Sequence, residues 1–164
     1  YIINELSVSV NSFERSSSYP LHYSAMIGSA WATTLLLNSG AFVGCKDATG
    51  RDPLMLACTS DNHHLCQLLL DRGSSSACFD LNGNTALHFA ARSKSVQCMR
   101  ILLRIEHTDC YPENYFDETL LHLACATGTF TRVRLLLDSG SDPDCKDRAG
   151  KRCIDYVPAD KLRL

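Results

Sequence analysis

Histidines near the starts of apolar stretches are the side chains of this sequence that first suggest chemistry. His22, His88 and His122 all lie in such positions, the second of them in the segment NGNTALHFAA at 82–91. A histidine acting as a catalytic base needs a nucleophile and an orienting acid brought beside it. No local motif combines these residue types, and Gly-x-Ser-x-Gly does not occur. The sequence therefore does not predict an enzyme.

A second group, Cys58, His63, His64 and Cys66, follows the spacing C-x4-H-H-x-C. Zinc sites usually combine a C-x2–4-C pair with an H-x3–5-H pair or with a second C-x2-C pair. The chain has nine cysteines but contains no C-x-x-C. We therefore predict neither a metal site nor a cofactor.

These side chains recur because the chain repeats itself. An apolar residue follows a turn-forming stretch in steps of 33, 33, 34 and 33 residues, at Leu21, Leu54, Leu87, Leu121 and Ile154. Apolar triplets keep the same period, at 35–37, 68–70, 101–103 and 135–137. A period in the thirties indicates stacked supersecondary units, which bury their apolar faces only against neighbouring units.

Turn residues and helix starts also recur at fixed positions within this period. Asp-x-x-Gly occurs at 47–50, 80–83 and 147–150, and YPLHYSA, DPLMLAC, TALHFAA and TLLHLAC each open an apolar stretch. This pattern resembles the ankyrin repeat, and four successive units carry it. The resemblance implies an all-α repeat solenoid of stacked helix-turn-helix units, with β-hairpin or loop fingers between the helix pairs.

The repeat register divides the chain into six predicted segments. Residues 1–13 are the end of a preceding repeat or an N-terminal cap, and 147–164 are a partial fifth repeat or a C-terminal cap. Four full repeats lie between them, at 14–46, 47–79, 80–113 and 114–146. Because both ends fall inside a repeat, we expect the chain to be a piece of a larger protein.

The junction between the third and fourth full repeats departs most from the pattern. Glu106 replaces the loop glycine, and one residue is inserted around 111–113. Asp117 stands where glycine normally adopts a positive φ, a conformation that aspartate tolerates better than most residues. We expect a distorted finger at this junction.

In the repeat register, the histidines and cysteines have structural roles. The resemblance implies that the histidine row hydrogen-bonds locally and to the neighbouring repeat, with Thr85 and Thr119 as nearby hydroxyls. Cys58 and Cys66 are expected to face the packed interior on different helices, whereas His63 and His64 lie at an exposed helix start. The cysteines are expected to be small packing residues with reduced thiols, which favours an intracellular location, cytoplasmic or nuclear.

Charge does not indicate a nucleic acid or membrane partner. The net charge is −2 and the pI is about 6.3, and no apolar run approaches the ~20 residues of a membrane-spanning helix. The end of the chain is locally basic, and its cations are Lys146, Arg148, Lys151, Arg152, Lys161 and Arg163. This basic end is either a solvated cap or a binding patch, and the sequence leaves both open.

Binding is expected on a concave strip that the resemblance implies, formed by finger tips and the solvent-facing sides of the first helices. The predicted partner-binding residues are Phe79, Leu81, Tyr115, Phe116, Arg51, Arg92, Asn84, Glu118 and Met26. Large apolar side chains at exposed tips normally mark a contact surface. Alternatively, the altered loop at 106–117 folds over the four apolar residues and buries them against each other.

The sequence thus favours a non-catalytic protein-interaction module. A partner protein or peptide would dock rigidly on the strip, anchored by the four apolar residues and oriented by Arg51, Arg92 and the basic end. A second hypothesis makes the chain a substrate-positioning or regulatory domain of a larger enzyme, channel or ubiquitin-ligase-type adaptor. A third is weak end-to-end self-association through open repeat faces.

Overall fold

The computed structural model describes residues 9–12, 18–60, 62–93, 96–105 and 113–159. In these ranges the chain forms helix-turn-helix pairs, and each predicted full repeat contains one pair. The helices are α1 (Pro20–Ile27), α2 (Ala30–Asn38), α3 (Pro53–Thr59), α4 (His63–Asp71), α5 (Ala86–Arg92), α6 (Gln97–Leu103), α7 (Leu120–Ala126) and α8 (Phe130–Asp138). A 3-10 turn, Cys153–Tyr156, follows them.

In the second and fourth full repeats, the first helix begins at a residue whose side chain accepts from a free backbone amide. Asp52 accepts a hydrogen bond from the amide of Met55, at 2.9 Å, in the repeat that lacks the recurring histidine. In the fourth repeat Thr119 provides the cap, and its own amide donates to Nδ1 of His122 at 3.1 Å. Such bonds pair orphan donors that would otherwise oppose helix formation.

The first helices form an inner row, in which α1 packs on α3, α3 on α5, α5 on α7, and α7 on the 3-10 turn. Outside this row, α2 packs on α4 and α4 on α6. Small residues such as Ala57, Ala90 and Ala124 are fully buried in the inner row, so adjacent helices can approach closely. The predicted all-α repeat solenoid is confirmed. No helix within the described ranges has the length and apolar character needed to span a bilayer.

Each finger that the structure describes is a tight turn built around one side-chain oxygen. Asp80 Oδ1 accepts hydrogen bonds from the amides of Asn82 and Asn84, at 2.9 and 2.8 Å. Asp47 and Asp147 make the equivalent bonds in the turns at 47–51 and 147–151. Isolated antiparallel bridges close the fingers, at Phe79–Thr85, Glu113–Thr119 and Lys146–Arg152.

The turn at 114–118 is regular despite its altered sequence. Asn114 replaces the aspartate, and its Oδ1 accepts from the amides of Phe116 and Glu118, at 2.9 and 3.1 Å. Asp117 adopts a φ of 59°, as the sequence predicts for a glycine-like position. The expected distortion of this finger is therefore wrong for residues 113–119, because Asn114 supplies the same acceptor. Glu106 lies outside the described residues.

Candidate functional site

Four large apolar residues at the finger tips, Phe79, Leu81, Tyr115 and Phe116, form what we call the finger-tip patch. Their exposed fractions are 51, 69, 52 and 50%. The rings of Phe79 and Tyr115 contact edge to face, with centroids 6.1 Å apart. The alternative in which these side chains bury one another therefore does not fit, since half or more of each remains accessible.

Backbone hydrogen bonds between consecutive fingers bring the patch together. The amide of Leu81 donates to the carbonyl of Thr49 at 3.0 Å, and that of Tyr115 donates to the carbonyl of Asn82 at 2.9 Å. Gly83 permits the second approach, because a Cβ there would lie 2.7 Å from Cδ1 of Tyr115. The patch is thus held on a hydrogen-bonded ladder of turns.

A cation lies at one edge of the patch. Lys46 Nζ is 5.4 Å from the centroid of the Phe79 ring, and it donates a hydrogen bond to the carbonyl of Phe79 at 2.5 Å. An ammonium group over an aromatic face is attracted by the ring quadrupole. Sequence reasoning did not select Lys46 as a site residue; it lies 33 residues before Phe79, one repeat period away.

The predicted arginines form ion pairs within the chain. Arg51 contacts Asp47 at 2.8 Å, and Arg92 contacts Glu118 at 3.4 Å. Burial alone would raise the pKa of Asp47, but hydrogen bonds from Thr49 and Arg51 lower it below the ordinary value. The arginine side chains remain 39 and 48% exposed, so both keep surface for a further contact.

Two other predicted site residues lie away from the patch or below the surface. Asn84 is only 4% exposed; its amide donates to Asp80 at 3.2 Å and its oxygen accepts from Asn114 at 3.1 Å. The prediction that Asn84 is a surface contact is therefore wrong, because its side chain joins two finger turns. Met26 is 55% exposed, but it lies at the end of α1, in the first full repeat.

Two histidines of the row fasten neighbouring repeats, as predicted. Nε2 of His22 hydrogen-bonds to the carbonyl of Arg51 at 2.9 Å, and Nε2 of His122 to the carbonyl of Lys151 at 3.0 Å. In each ring Nδ1 accepts from a backbone amide of the same helix start. The two ring nitrogens therefore have opposite roles, with Nε2 facing a carbonyl and Nδ1 facing an amide.

His88 is buried in the same position but makes a weaker link. Its Nδ1 accepts from the amide of Thr85 at 3.1 Å, whereas Nε2 makes no close hydrogen bond to the described residues. Burial lowers the pKa of His88 to about 4, and an interaction with the backbone of Glu118 offsets this only in part.

Comparison with known proteins agrees with this architecture. A family profile described as "Ankyrin repeats (3 copies)" matches residues 3–78, 21–115 and 74–147. The chain belongs to the ankyrin-repeat family. Ankyrin repeats are protein-interaction modules.

Several ankyrin-repeat relatives are much longer than this chain. The "Probable E3 ubiquitin-protein ligase XBOS33" of Oryza sativa subsp. japonica is 42% identical over 85 residues, which are 51% of this chain and 16% of the rice protein. The human "B-cell lymphoma 3 protein" is 32% identical over 135 residues, 78% of this chain and 30% of the human protein. Its mouse homologue is 36% identical over 98 residues, 58% of this chain and 22% of the mouse protein.

The cysteines of these ankyrin repeats are free thiols in the parts of the chain that the structure describes. Cys58 and Cys66 are buried on α3 and α4, and His64 is exposed at the start of α4, as predicted. Sequence reasoning missed Cys98, whose sulfur lies within 4.8 Å of both of theirs. Its 32-residue distance from Cys66, close to one repeat period, is the signal that could have revealed it.

Proposed function

We propose that this ankyrin-repeat chain is a non-catalytic recognition module, and that it binds a segment of a partner protein across the finger-tip patch. The observation that carries the proposal is the half-exposed pair Phe79 and Tyr115 on a hydrogen-bonded backbone ladder. Aromatic side chains on a rigid support lose little conformational freedom on binding, and they dominate interface hot spots.

The charges around the patch favour a partner segment with acidic residues beside its apolar anchor. Lys46 borders Phe79 on one side, and Arg148, whose amide donates to the carbonyl of Phe116, lies on the other. Arg148 is paired with Asp117 at 3.3 Å, but its side chain is 66% exposed. Arg51 and Arg92 would orient the segment through the surface that their own ion pairs leave free.

The second candidate function is that of a substrate-positioning or regulatory domain within a larger protein. This chain matches only 16 to 30% of the length of the relatives above, and one of them is named as a probable ubiquitin ligase. In such a protein, the repeats would position a substrate for a reaction that another domain catalyses. We also propose an intracellular location, cytoplasmic or nuclear, which the free thiols support. We propose that the chain neither binds nucleic acid nor inserts into a membrane.

Capture from cell lysate tests the role of the patch. Wild-type chain is compared with a variant in which Phe79, Leu81, Tyr115 and Phe116 are all alanine. A matched control has alanine at four exposed apolar positions of α2 and α8, namely Trp31, Leu35, Phe130 and Leu137. We call the second helices of the repeats the second-row helices. Circular dichroism checks that all three proteins are folded.

We expect proteins identified by mass spectrometry to be held by the wild type and the control, and to be lost by the patch variant. Retention by the patch variant would place the binding surface elsewhere and contradict the proposal. Retention by the patch variant together with loss by the control would assign binding to the second-row helices.

A further inference from the structure

Three thiols meet in the interior between the second and third full repeats. Cys58 lies near the end of α3, Cys66 on α4 and Cys98 on α6. None of them has any exposed surface, and their sulfur atoms all lie within 4.8 Å of one another. The cluster depends on the stacking of repeats, because α4 packs on both α3 and α6.

Three buried sulfur atoms within 4.8 Å of one another form a soft donor set for a metal ion. Thiolates are preferred ligands of zinc.

Zinc in proteins is almost always four-coordinate when its role is structural. His63 begins α4, three residues before Cys66, so both side chains lie on the same face of that helix. The ring of His63 is half-buried and lies tilted against that of His64, with centroids 4.1 Å apart. Its nitrogens lie outside the cluster of sulfur atoms, so coordination requires the His63 side chain to turn towards the cluster.

We propose that Cys58, Cys66 and Cys98 bind one zinc ion as thiolates, with the imidazole of His63 as the fourth ligand. The site would join the second and third full repeats through their interior, independently of the partner surface. It replaces the sequence-based expectation of no metal site. That expectation considered only Cys58, His63, His64 and Cys66, and thus lacked the third sulfur, which another repeat supplies.

Cobalt titration of the fully reduced chain tests the site, since Co²⁺ reports thiolate ligation through a charge-transfer band and tetrahedral geometry through visible bands. We expect both bands to saturate at one ion per chain and to disappear when Zn²⁺ displaces the cobalt. Cys98→Ala should abolish them. Cys125→Ala is the matched control, because this buried residue occupies the repeat position of Cys58 but lies outside the cluster.

Absence of the bands in the wild type, their persistence in Cys98→Ala, or equal loss in Cys125→Ala would overturn the proposal. His63→Gln should weaken the visible bands while His64→Gln leaves them unchanged, and equal spectra would overturn the assignment of His63. Calorimetry of the wild type in buffers of different ionisation enthalpy gives a readout independent of any variant's folding. We expect zinc binding to release protons at neutral pH, because cysteine ligands must be deprotonated, and binding without proton release would contradict the site.

Discussion

The recurring histidine at the start of an inner helix binds the backbone of that helix start through its ring. Its Nδ1 accepts a backbone amide, so a proton added to that nitrogen would remove an acceptor from a helix start. In His22 and His122 the other nitrogen also links two repeats. His88 differs in lacking that second close bond, so its burial is the dominant influence on its protonation.

Acidification is expected to destabilise the protein through His88. Burial lowers the pKa of His88 from 6.5 to about 4, so between these values the unfolded chain binds a proton that the folded chain does not. The contribution of the neutral ring to stability is complete above pH 6.5 and is lost as the pH falls towards 4. At about 1.4 kcal/mol per pKa unit, the loss is roughly 3 kcal/mol.

Urea denaturation at several pH values between 7 and 4 measures this effect in the wild type and in His88→Gln. Glutamine keeps an acceptor at the helix start but does not titrate. His64→Gln, at an exposed position, is the control and should retain the wild-type pH dependence. An unchanged pH dependence in His88→Gln would show that other groups dominate.

Gly83→Ala is expected to destabilise the fold more than Gly150→Ala. Both glycines occupy the same position of a finger turn, with φ values of 78° and 75°, so the left-handed strain is common to both. A Cβ at Gly83 would lie 2.9 Å from the amide nitrogen of Tyr115, whereas a Cβ at Gly150 would meet none of the described residues within 4 Å. The clash should add about 1–3 kcal/mol. Equal free energies of unfolding for the two variants would contradict this packing.

Individual contacts were harder to predict than the type of surface. The apolar finger tips could be selected because their repeat positions face solvent, and the exposure of Phe79 and Leu81 agrees. Asn84 has an equally polar and turn-like setting in the sequence, yet its amide links two turns. That outcome depends on Asn114 lying in the next finger, and the sequence alone does not measure the distance between them.

At the scale of helices, the repeat period carried most of the predictive information. Apolar triplets one period apart identify the second helices, and turn residues followed by Leu-His identify the first. Sequence reasoning missed Cys98 because it lies 32 residues after Cys66, one residue short of the 33-residue repeat period. A shift of one residue turns a helical side chain by about a quarter of a turn, so only the packing of α4 on α6 decides whether the sulfurs meet.

Leu136→Ala tests the register of the second helices. Leu136 is fully buried on α8, and its truncation should reduce the free energy of unfolding by about 2–5 kcal/mol. Leu137 follows it and is 42% exposed, so Leu137→Ala should cost clearly less. Thermal or urea denaturation of the two variants compares them directly. Similar losses at both positions would show that α8 faces the core differently.

At the scale of the whole molecule, stability comes from contacts between neighbouring repeats. The inner row of helices extends from α1 to the 3-10 turn without a central core, as expected for a solenoid. Weak end-to-end association, which the sequence raises as a hypothesis, is a prediction that solution measurements can test.

Light scattering across a dilution series tests that association. We expect the mean mass to rise with concentration and to return to the monomer value on dilution. Added salt should have little influence if apolar repeat faces make the contact, because screening acts mainly on exposed charges. A monomer mass at every concentration would count against self-association.

The backbone ladder of the fingers has a direction. In each of its bonds the later finger donates and the earlier finger accepts, from Leu81 to Thr49, from Tyr115 to Asn82 and from Arg148 to Phe116. Two arrays meeting through like ends would oppose donor to donor or acceptor to acceptor. Copies that continue the ladder must therefore join head to tail, a heterologous contact that does not close into a two-fold dimer and lets the assembly grow as an open polymer.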